Sequence, residues 1–493
     1  MIGTLNLKFA GFIFCFGLLL VTCVDSQQGS ESNEPEVMDI PPVDFDLDKI
    51  KERGSLIAIV DNSTTSYFIY KGQPMGYEYE LLSLLGEDLG VELQLVITTD
   101  IDDAFAKLNG GEGDIVAYNL TVTKERVKRI AFTDHLTLSR QVLIQKKPDN
   151  WRQMKLHEIE KQMIRDQLEL IGQEIHVRKS SSFVSRLQNL SEEMGGNVII
   201  VEEPGNVEVE NLIHRVAVGD IKYTVADENV AKLNATYHKN LDIKTPISFS
   251  QRIAWGVRQN SVQLLQATNT WLAQMKKEVP FYTIYDRYFK SSKASLRRVH
   301  SDYSTLVGHQ LSPYDSLIKK GALELGWDWE LLAALIFQES KFDPKADSWV
   351  GAKGLMQLMP ATAKQFGATD PEDPQQAITS GVNYLKWLDE FWQPKVPDDE
   401  ERIKFILGSY NVGQGHVLDA QKLSTKYGKD STIWDYNVAF YLLKKSEPEF
   451  YNDPVVSAGY CRGREPVHYV EEILYRSEQY QQLMANQPVL SEL

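Results

Sequence analysis

Glu339 is the residue whose surroundings most suggest chemistry. It closes the run Trp329-Glu-Leu-Leu-Ala-Ala-Leu-Ile-Phe-Gln-Glu-Ser340, in which Leu331, Leu332, Leu335 and Ile336 recur at helical spacing. That spacing predicts a helix over 329–340, broken by Phe342-Asp-Pro344. A Gly-rich turn, Gly351-Ala-Lys-Gly354, then leads into Leu-Met-Gln-Leu-Met-Pro360. A carboxyl at the end of an apolar helix, facing such a turn, is poorly hydrated. Poor hydration penalises the charged form and raises the pKa, which suits a general acid working near neutral pH. Single glutamates are ordinarily solvated, so the assignment depends on what accompanies this one. Among further carboxylates only Asp343 and Asp347 lie near in sequence, in a polar, Pro-kinked segment with the character of a surface loop.

The elements that would position Glu339 are helical. Apolar periodicity predicts helices over 314–326, 329–340, 360–366, 378–392, 403–410 and 466–479, with no convincing strand, giving an all-α domain over about 313–482. Four motifs follow in order: Glu339-Ser340, Gly351-Ala-Lys-Gly-Leu-Met-Gln-Leu-Met-Pro360, Ser409-Tyr-Asn411 and His468-Tyr469-Val. Together they resemble the family-1 lytic transglycosylases, goose-lysozyme-like enzymes that cut bacterial peptidoglycan. Ser409 stands where that family usually has Ala. The resemblance implies Glu339 as the single catalytic residue. It implies substrate contacts at Ser348, which would steady an N-acetyl group, and at the cleft-lining Gln357 and Met359. Tyr410, Asn411 and Tyr469 would lie near the acid. Met356 and Leu358 are expected to be packing residues, and neither His416 nor His468 has an evident catalytic partner.

Upstream, strands and helices alternate. Ser55–Val60, Val91–Thr98 and Gly113–Tyr118 have strand character, with helices over 76–90 and 101–108 between them. The alternation predicts an α/β domain with a largely parallel sheet, whose ligand binds beyond the carboxyl ends of the strands. Arg53-Gly-Ser-Leu, Gly76-Tyr-Glu-Tyr-Glu-Leu, Gly113-Asp-Ile-Val, Thr121-Val-Thr-Lys-Glu-Arg126 and Ile130-Ala-Phe-Thr-Asp134 resemble the family-3 periplasmic solute-binding proteins, over about 53–290. That resemblance implies two lobes closing on a small, amino-acid-like ligand, the second lobe covering about 146–240. Arg126 would grip the ligand carboxylate, a task suited to its planar fork. Asp227 would meet the amino group, and Asn119 and Thr121 would add polar contacts. Ser180-Ser-Ser-Phe, ahead of a helix, offers hydroxyls and free N–H groups to an anion. The fold class is therefore multidomain: a two-lobed α/β periplasmic-binding-protein-like domain followed by an all-α lysozyme-like domain, joined by a polar, basic junction over 291–312.

Length and composition agree. The chain has 493 residues, room for two or three domains, and 43% apolar content is ordinary for globular protein. A formal charge of −16 argues against nucleic acid as the principal partner. Lys8 and the apolar run Phe9 to Val21 have the form of an export signal over 1–26. Two processing sites compete: Leu20-Val-Thr-Cys23 resembles a bacterial lipobox that would leave Cys23 lipidated, and Val24-Asp-Ser26 suits ordinary signal peptidase. A polar, acidic tether is expected over 27–52 and a tail over 483–493. Cys15 lies in the signal and Cys23 at its edge, leaving Cys461 in the mature body and no intramolecular disulfide. No cluster has metal-ligand spacing, and no cofactor is implied.

The expected activity, implied by the resemblance, is cleavage of peptidoglycan glycan strands to 1,6-anhydromuramoyl ends on the periplasmic side of the outer membrane. A small amino-acid or muropeptide ligand of the first domain would regulate it. A water-using muramidase, or a glycan and solute receptor with an inactive lytic domain, are the alternatives.

Overall fold

Ser55–Val60 (β1) is buried along nearly its whole length, because parallel neighbours leave a strand covered on both faces. A computed structural model describes residues 40–290, 298 and 301–485, apart from 206, 307 and 309. The expected export signal, both of its processing sites and the last residues of the tail lie outside the described residues. Phe68–Tyr70 (β2) and Gln73–Met75 (β3) form a hairpin across Lys71-Gly72, both with positive φ, as a two-residue turn requires.

The first lobe is a mixed sheet. Glu92–Ile97 (β4) and Ile115–Thr121 (β5) flank β1 in parallel. Ala131–Phe132 (β6) and Thr137–Ser139 (β7) both pair antiparallel with a strand that returns from much later in the chain. The second lobe holds Gln141–Lys146 (β8), Glu174–Arg178 (β9), Ile199–Glu203 (β10), Tyr223–Asp227 (β11) and Leu241–Asp242 (β12), in the order β10-β9-β11-β8-β12. The returning strand is Gln251–Val257 (β13), antiparallel to β5. The expectation of a largely parallel sheet thus holds only for one side of each sheet, β4-β1-β5 in the first lobe and β10-β9-β11 in the second. Each crossing between lobes reverses the chain and adds an antiparallel strand. The second lobe begins at Gln141, directly after β7, and ends at Asp242.

The expected tether does not reach residue 52. Leu47–Arg53 is a helix capped by the Asp46 side chain, and Asp46 also accepts from the backbone N–H groups of Gln263 and Leu264, each at 2.9 Å. Val43 N–H donates to Asn109 O, and Arg258 donates to Phe45 O. Polar composition suggested a free segment, but its hydrogen bonds go to the first lobe.

The helical domain surrounds Trp329–Ser340, whose residues from Leu331 to Phe337 are all buried. A helix apolar on every side has to lie inside its domain. The Arg464–Ala485 helix and the Asp315–Leu325 helix pack against it. Gln414–Lys426 and Ala439–Lys444 are further helices that periodicity did not predict. The C-terminal helix also runs to Ala485, beyond the expected 479, because its last turns pack on the first lobe. Leu95 N–H donates to Tyr475 Oη (2.8 Å), Gln479 Nε2 to Leu95 O (3.2 Å) and Tyr480 Oη to Gly72 O (2.9 Å). A Cβ on Gly72 would meet the Phe342 and Phe337 rings at 2.5 and 2.7 Å. The hairpin tip is therefore seated against the helical domain, and one apolar core runs through both. Within the junction, Tyr303 O accepts from Lys71 N–H, and Thr305 N–H donates to Ile69 O.

One ionic network holds the base of the first lobe. Arg258 and Asp114, both 0% exposed, pair at 3.0 Å, and Arg258 also donates to Phe45, Leu108 and Gly113 carbonyls. Asp114 Oδ2 also accepts from Arg53 and from Ile57 N–H, so losing Arg258 strands Asp114 Oδ1 and three backbone carbonyls within a buried network, which is costly. Arg258→Leu is expected to lower the unfolding free energy by about 3–5 kcal/mol, read as a lower denaturant midpoint.

Candidate active site

Glu339 sits one position before the end of its helix. The chain then turns through Lys341 and Phe342, both with positive φ. The Ser340 hydroxyl donates to Ile336 O (3.1 Å) and Leu355 O (2.9 Å), tying the helix end to the Gly-Leu-Met-Gln turn. That turn allows no side chain at Gly354: its φ is +75°, and a Cβ would lie 1.8 Å from Pro371 O. The sequence motif is thus a steric requirement for bringing the turn against the helix.

Burial pushes the Glu339 carboxyl up to about 7, opposed only by the Tyr469 hydroxyl. Tyr469, 7% exposed, donates that hydroxyl to Glu339 Oε1 from the C-terminal helix. Tyr410 lies close enough for the Glu339 charge to raise its phenol further above the ordinary range, after burial has done most of the work. Its hydroxyl, however, donates to Met356 O at 2.6 Å, so Tyr410 braces the turn and leaves Tyr469 as the donor to the acid. Asp343 and Asp347 are exposed loop residues. Asp343 caps Lys345 N–H, and Asp347 faces Lys353 at 3.7 Å. Glu472 accepts from Gln338 at 2.6 Å and faces His468 at 3.3 Å.

The other expected contacts divide. Met359 is 46% exposed, and Asn411 is exposed immediately after Tyr410. Ser348 Oγ accepts from Ala352 N–H at 2.8 Å. Gln357, expected to line the cleft, donates its amide to Ala346 O and Gly354 O, each at 2.9 Å. Its left-handed backbone (φ +45°) points the side chain back into the turn. Met356 and Leu358 are buried packing residues. His416 Nδ1 lies 3.1 Å from Lys445 Nζ, within a buried Lys445–Asp419 pair. Sequence reading did not find Ser409 as a structural acceptor: its hydroxyl receives the Trp392 indole N–H at 2.9 Å.

In the two-lobed domain, Asn119, Thr121, Arg126 and Asp227 line one cavity between the lobes. Asn119, at φ +53°, donates to Asp227 Oδ2 at 3.2 Å. Ser182 donates to Thr121 Oγ1 (3.2 Å), and Arg126 donates to Thr121 O (3.1 Å) and Ser180 O (3.4 Å). Arg126 is 8% exposed, so it is not part of a surface ion-pair run. Burial lowers it to about 10 and raises Asp227 to about 7. Asp61, Arg178, Glu208 and Glu210 line the same cavity and were not foreseen. Asp61 and Arg178 stand just after β1 and at the end of β9, where carboxyl-end positions were a usable signal.

Comparison with known proteins accords with both halves. Residues 316–433 match the family described as Transglycosylase SLT domain, and residues 56–291 match bacterial extracellular solute-binding proteins, family 3. Proteins named membrane-bound lytic murein transglycosylase F are similar over most of the length. The one from Desulfosudis oleivorans is 35% identical, covering 86% of this chain and 90% of that protein. The one from Stutzerimonas stutzeri is 32% identical, covering 87% and 85%. Among solved structures, a mutant of ArgBP from T. maritima matches 50% of this chain and 99% of its own, at 21% identity and a TM-score of 0.41.

The raised Glu339 pKa has a consequence for stability. The folded state holds this proton more tightly than the unfolded chain, so stability associated with it is full below about 4.5 and is lost as pH rises through about 7. Glu339→Gln removes the poorly hydrated charge. The variant is expected to exceed the wild type by about 3 kcal/mol at pH 8 and to come close to it near pH 4.5, measured by paired denaturant titrations.

Proposed function

This chain belongs to the membrane-bound lytic murein transglycosylase F family, and on that premise we propose that Glu339 alone carries acid and base roles in cutting the MurNAc-β-1,4-GlcNAc bond of peptidoglycan without water. The observation that carries the reading is a half-buried glutamate whose poorly hydrated carboxyl is raised to about 7, with one hydroxyl donor and only solvated or otherwise paired carboxylates in the neighbouring segments. Protonated Glu339 gives its proton to the leaving glycosidic oxygen as the bond to the muramoyl C1 breaks. The N-acetyl carbonyl oxygen of the same sugar bonds to C1 and takes up the positive charge. The carboxylate of Glu339 then removes the proton from the C6 hydroxyl, and O6 displaces the acetamido oxygen. The product is a 1,6-anhydromuramoyl end, and Glu339 has regained its proton.

Tyr469 steadies the carboxylate between the two steps, since a hydrogen bond to the charged form favours it. Tyr410 and Gln357 hold the turn opposite, while Ser348, Met359 and Asn411 offer contacts to the bound glycan. Met suits that place because its thioether adapts to irregular surfaces. Export and attachment to the periplasmic face of the outer membrane, through Cys23 or peripherally, complete the reading. No helix among the described residues is long and apolar enough to cross a membrane.

Digestion of purified peptidoglycan should release fragments lighter by one water than reducing-end products, resolved by mass spectrometry. Reducing ends alone would mean hydrolysis. Glu339→Gln should lower turnover by about 10³-fold or more, as loss of an essential proton donor does, with folding and glycan binding kept. Wild-type turnover should fall as pH rises through about 7, because the acid must start protonated.

The first domain supplies control in this reading. A ligand bound between the lobes shifts the chain between states that differ in access to Glu339, which requires different affinities for those states. The shared apolar core and the Tyr475–Leu95 bond support such a coupling, because a change at β4 reaches the helix that carries Tyr469. Calorimetry with amino acids and muropeptides, paired with turnover, should give saturable binding that changes the rate at least about threefold. Binding with an unchanged rate would end the regulatory part and leave the chemistry intact.

A further inference from the structure

The cavity between the lobes is more acidic than an amino-acid head group needs. Four carboxylates, Asp61, Glu208, Glu210 and Asp227, line it against two guanidiniums, Arg126 and Arg178. The ion pairs are unevenly shared. Arg178 faces Glu208 Oε2 at 3.2 Å and Asp61 at 3.6 Å, and its remaining hydrogens go to Gly205 O and Thr99 O. Glu210 accepts from the Thr64 hydroxyl of the opposite lobe at 2.9 Å. Asp227 Oδ2 accepts from Asn119.

Two carboxylate oxygens are left without a partner, Asp227 Oδ1 and Glu208 Oε1, and neither has accessible surface. Asp227 is 5% exposed. The Ser181 hydroxyl, on the same cavity and 7% exposed, is unpartnered as well. Buried acceptors are ordinarily paired, and an unpaired buried carboxylate oxygen is costlier than a neutral one. Burial raises all four carboxyls above their ordinary range despite both arginines. The two orphan oxygens come from separate elements: Asp227 from the end of β11, Glu208 from the N-terminus of the Val209–Val218 helix. A ligand ammonium at Asp227 Oδ1 leaves Glu208 Oε1, on a separate element, open to a second cationic group.

We propose that the ligand of this cleft is a dibasic α-amino acid, its carboxylate on Arg126, its α-ammonium on Asp227 and its side-chain ammonium or guanidinium on Glu208, with Asp61 and Glu210 adding to the negative field there. The inference rests on the reading of the first domain as a ligand-binding module and names the ligand's charge. Arg178 is then a positioning residue that holds Glu208 by one oxygen and leaves the other for the ligand.

The test uses the full chain and isothermal titration with L-lysine, L-arginine and L-norleucine, the last having lysine's length without the side-chain ammonium. Lysine and arginine should bind about 30-fold tighter than norleucine or better, the loss typical of removing one partner from a buried charge pair. Glu208→Gln should erase that advantage while leaving norleucine affinity within about twofold, and a melting curve checks that the variant is folded. Equal affinity for lysine and norleucine, or a lysine advantage untouched in folded Glu208→Gln, would overturn the assignment. If no amino acid binds, the ligand-binding reading of the domain falls with it. Release of anhydro ends, measured separately, is independent of both outcomes.

Discussion

Desolvation of one carboxyl, imposed by a helix with no polar face, is the constraint on which the rest of this structure depends. The Trp329–Ser340 helix has apolar side chains on every side up to Phe337 and is covered on every side. Its last turn therefore delivers Glu339 into a poorly hydrated position. The cost of charging a carboxyl there is what allows it to hold a proton near neutral pH. A hydroxyl from a different helix tempers that cost without removing it. An arginine in the same place would have lowered the pKa and removed the acid. A fully apolar neighbour would have made the carboxylate of the second step harder to form.

The same packing decision joins the two domains. The helix that donates Tyr469 to the acid continues to Tyr475, Gln479 and Tyr480, which bond to the first lobe at Leu95 and Gly72. Gly72 has to be a glycine twice over: the hairpin turn needs its positive φ, and the rings of Phe337 and Phe342 leave no room for a Cβ. Phe337 and Phe342 flank Glu339 in sequence. The binding lobe therefore abuts the segment that carries the acid, and a continuous apolar core makes sliding between the two domains expensive.

Burial acts on both sites with different results. At Glu339 one carboxyl meets one neutral donor, and its protonation follows from hydration alone. In the interlobe cavity several carboxyls and two arginines are buried together, so each group's state depends on how the others are shared. Asp61 and Glu208 share Arg178, at 3.6 and 3.2 Å, and Asp227 is balanced between burial and Arg126. A mobile proton suits an acid–base catalyst, whereas a surplus of acids over arginines suits selection of a cationic ligand.

Local pattern made much of this legible. Periodicity found the glutamate helix with its bounds, because an amphipathic or apolar repeat is a property of neighbouring residues. Strand and helix alternation found an α/β first domain, and the apolar helix singled out Glu339; the two lobes and the roles of Tyr410, Tyr469, Arg126 and Asp227 came from the resemblance to known families. The residues of 414–426 escaped because their apolar repeat is weak, and those of 439–444 because a six-residue helix owes its stability to packing. Polar composition made 40–52 look free, since nothing local shows that Asp46 caps a helix or that Arg258 collects the Phe45 carbonyl. Nor does spacing reveal what a hydroxyl bonds to. Tyr410 and Tyr469 were equivalent candidates until the fold gave one to a backbone carbonyl and the other to a carboxyl 130 residues away. The sequence by itself determined which residue types were available for acid chemistry and ligand capture. Only the tertiary structure decided which carboxyl lost its water, which tyrosine faced it and how many acids shared the cleft, because hydration and hydrogen-bond partners belong to surfaces brought together from distant parts of the chain.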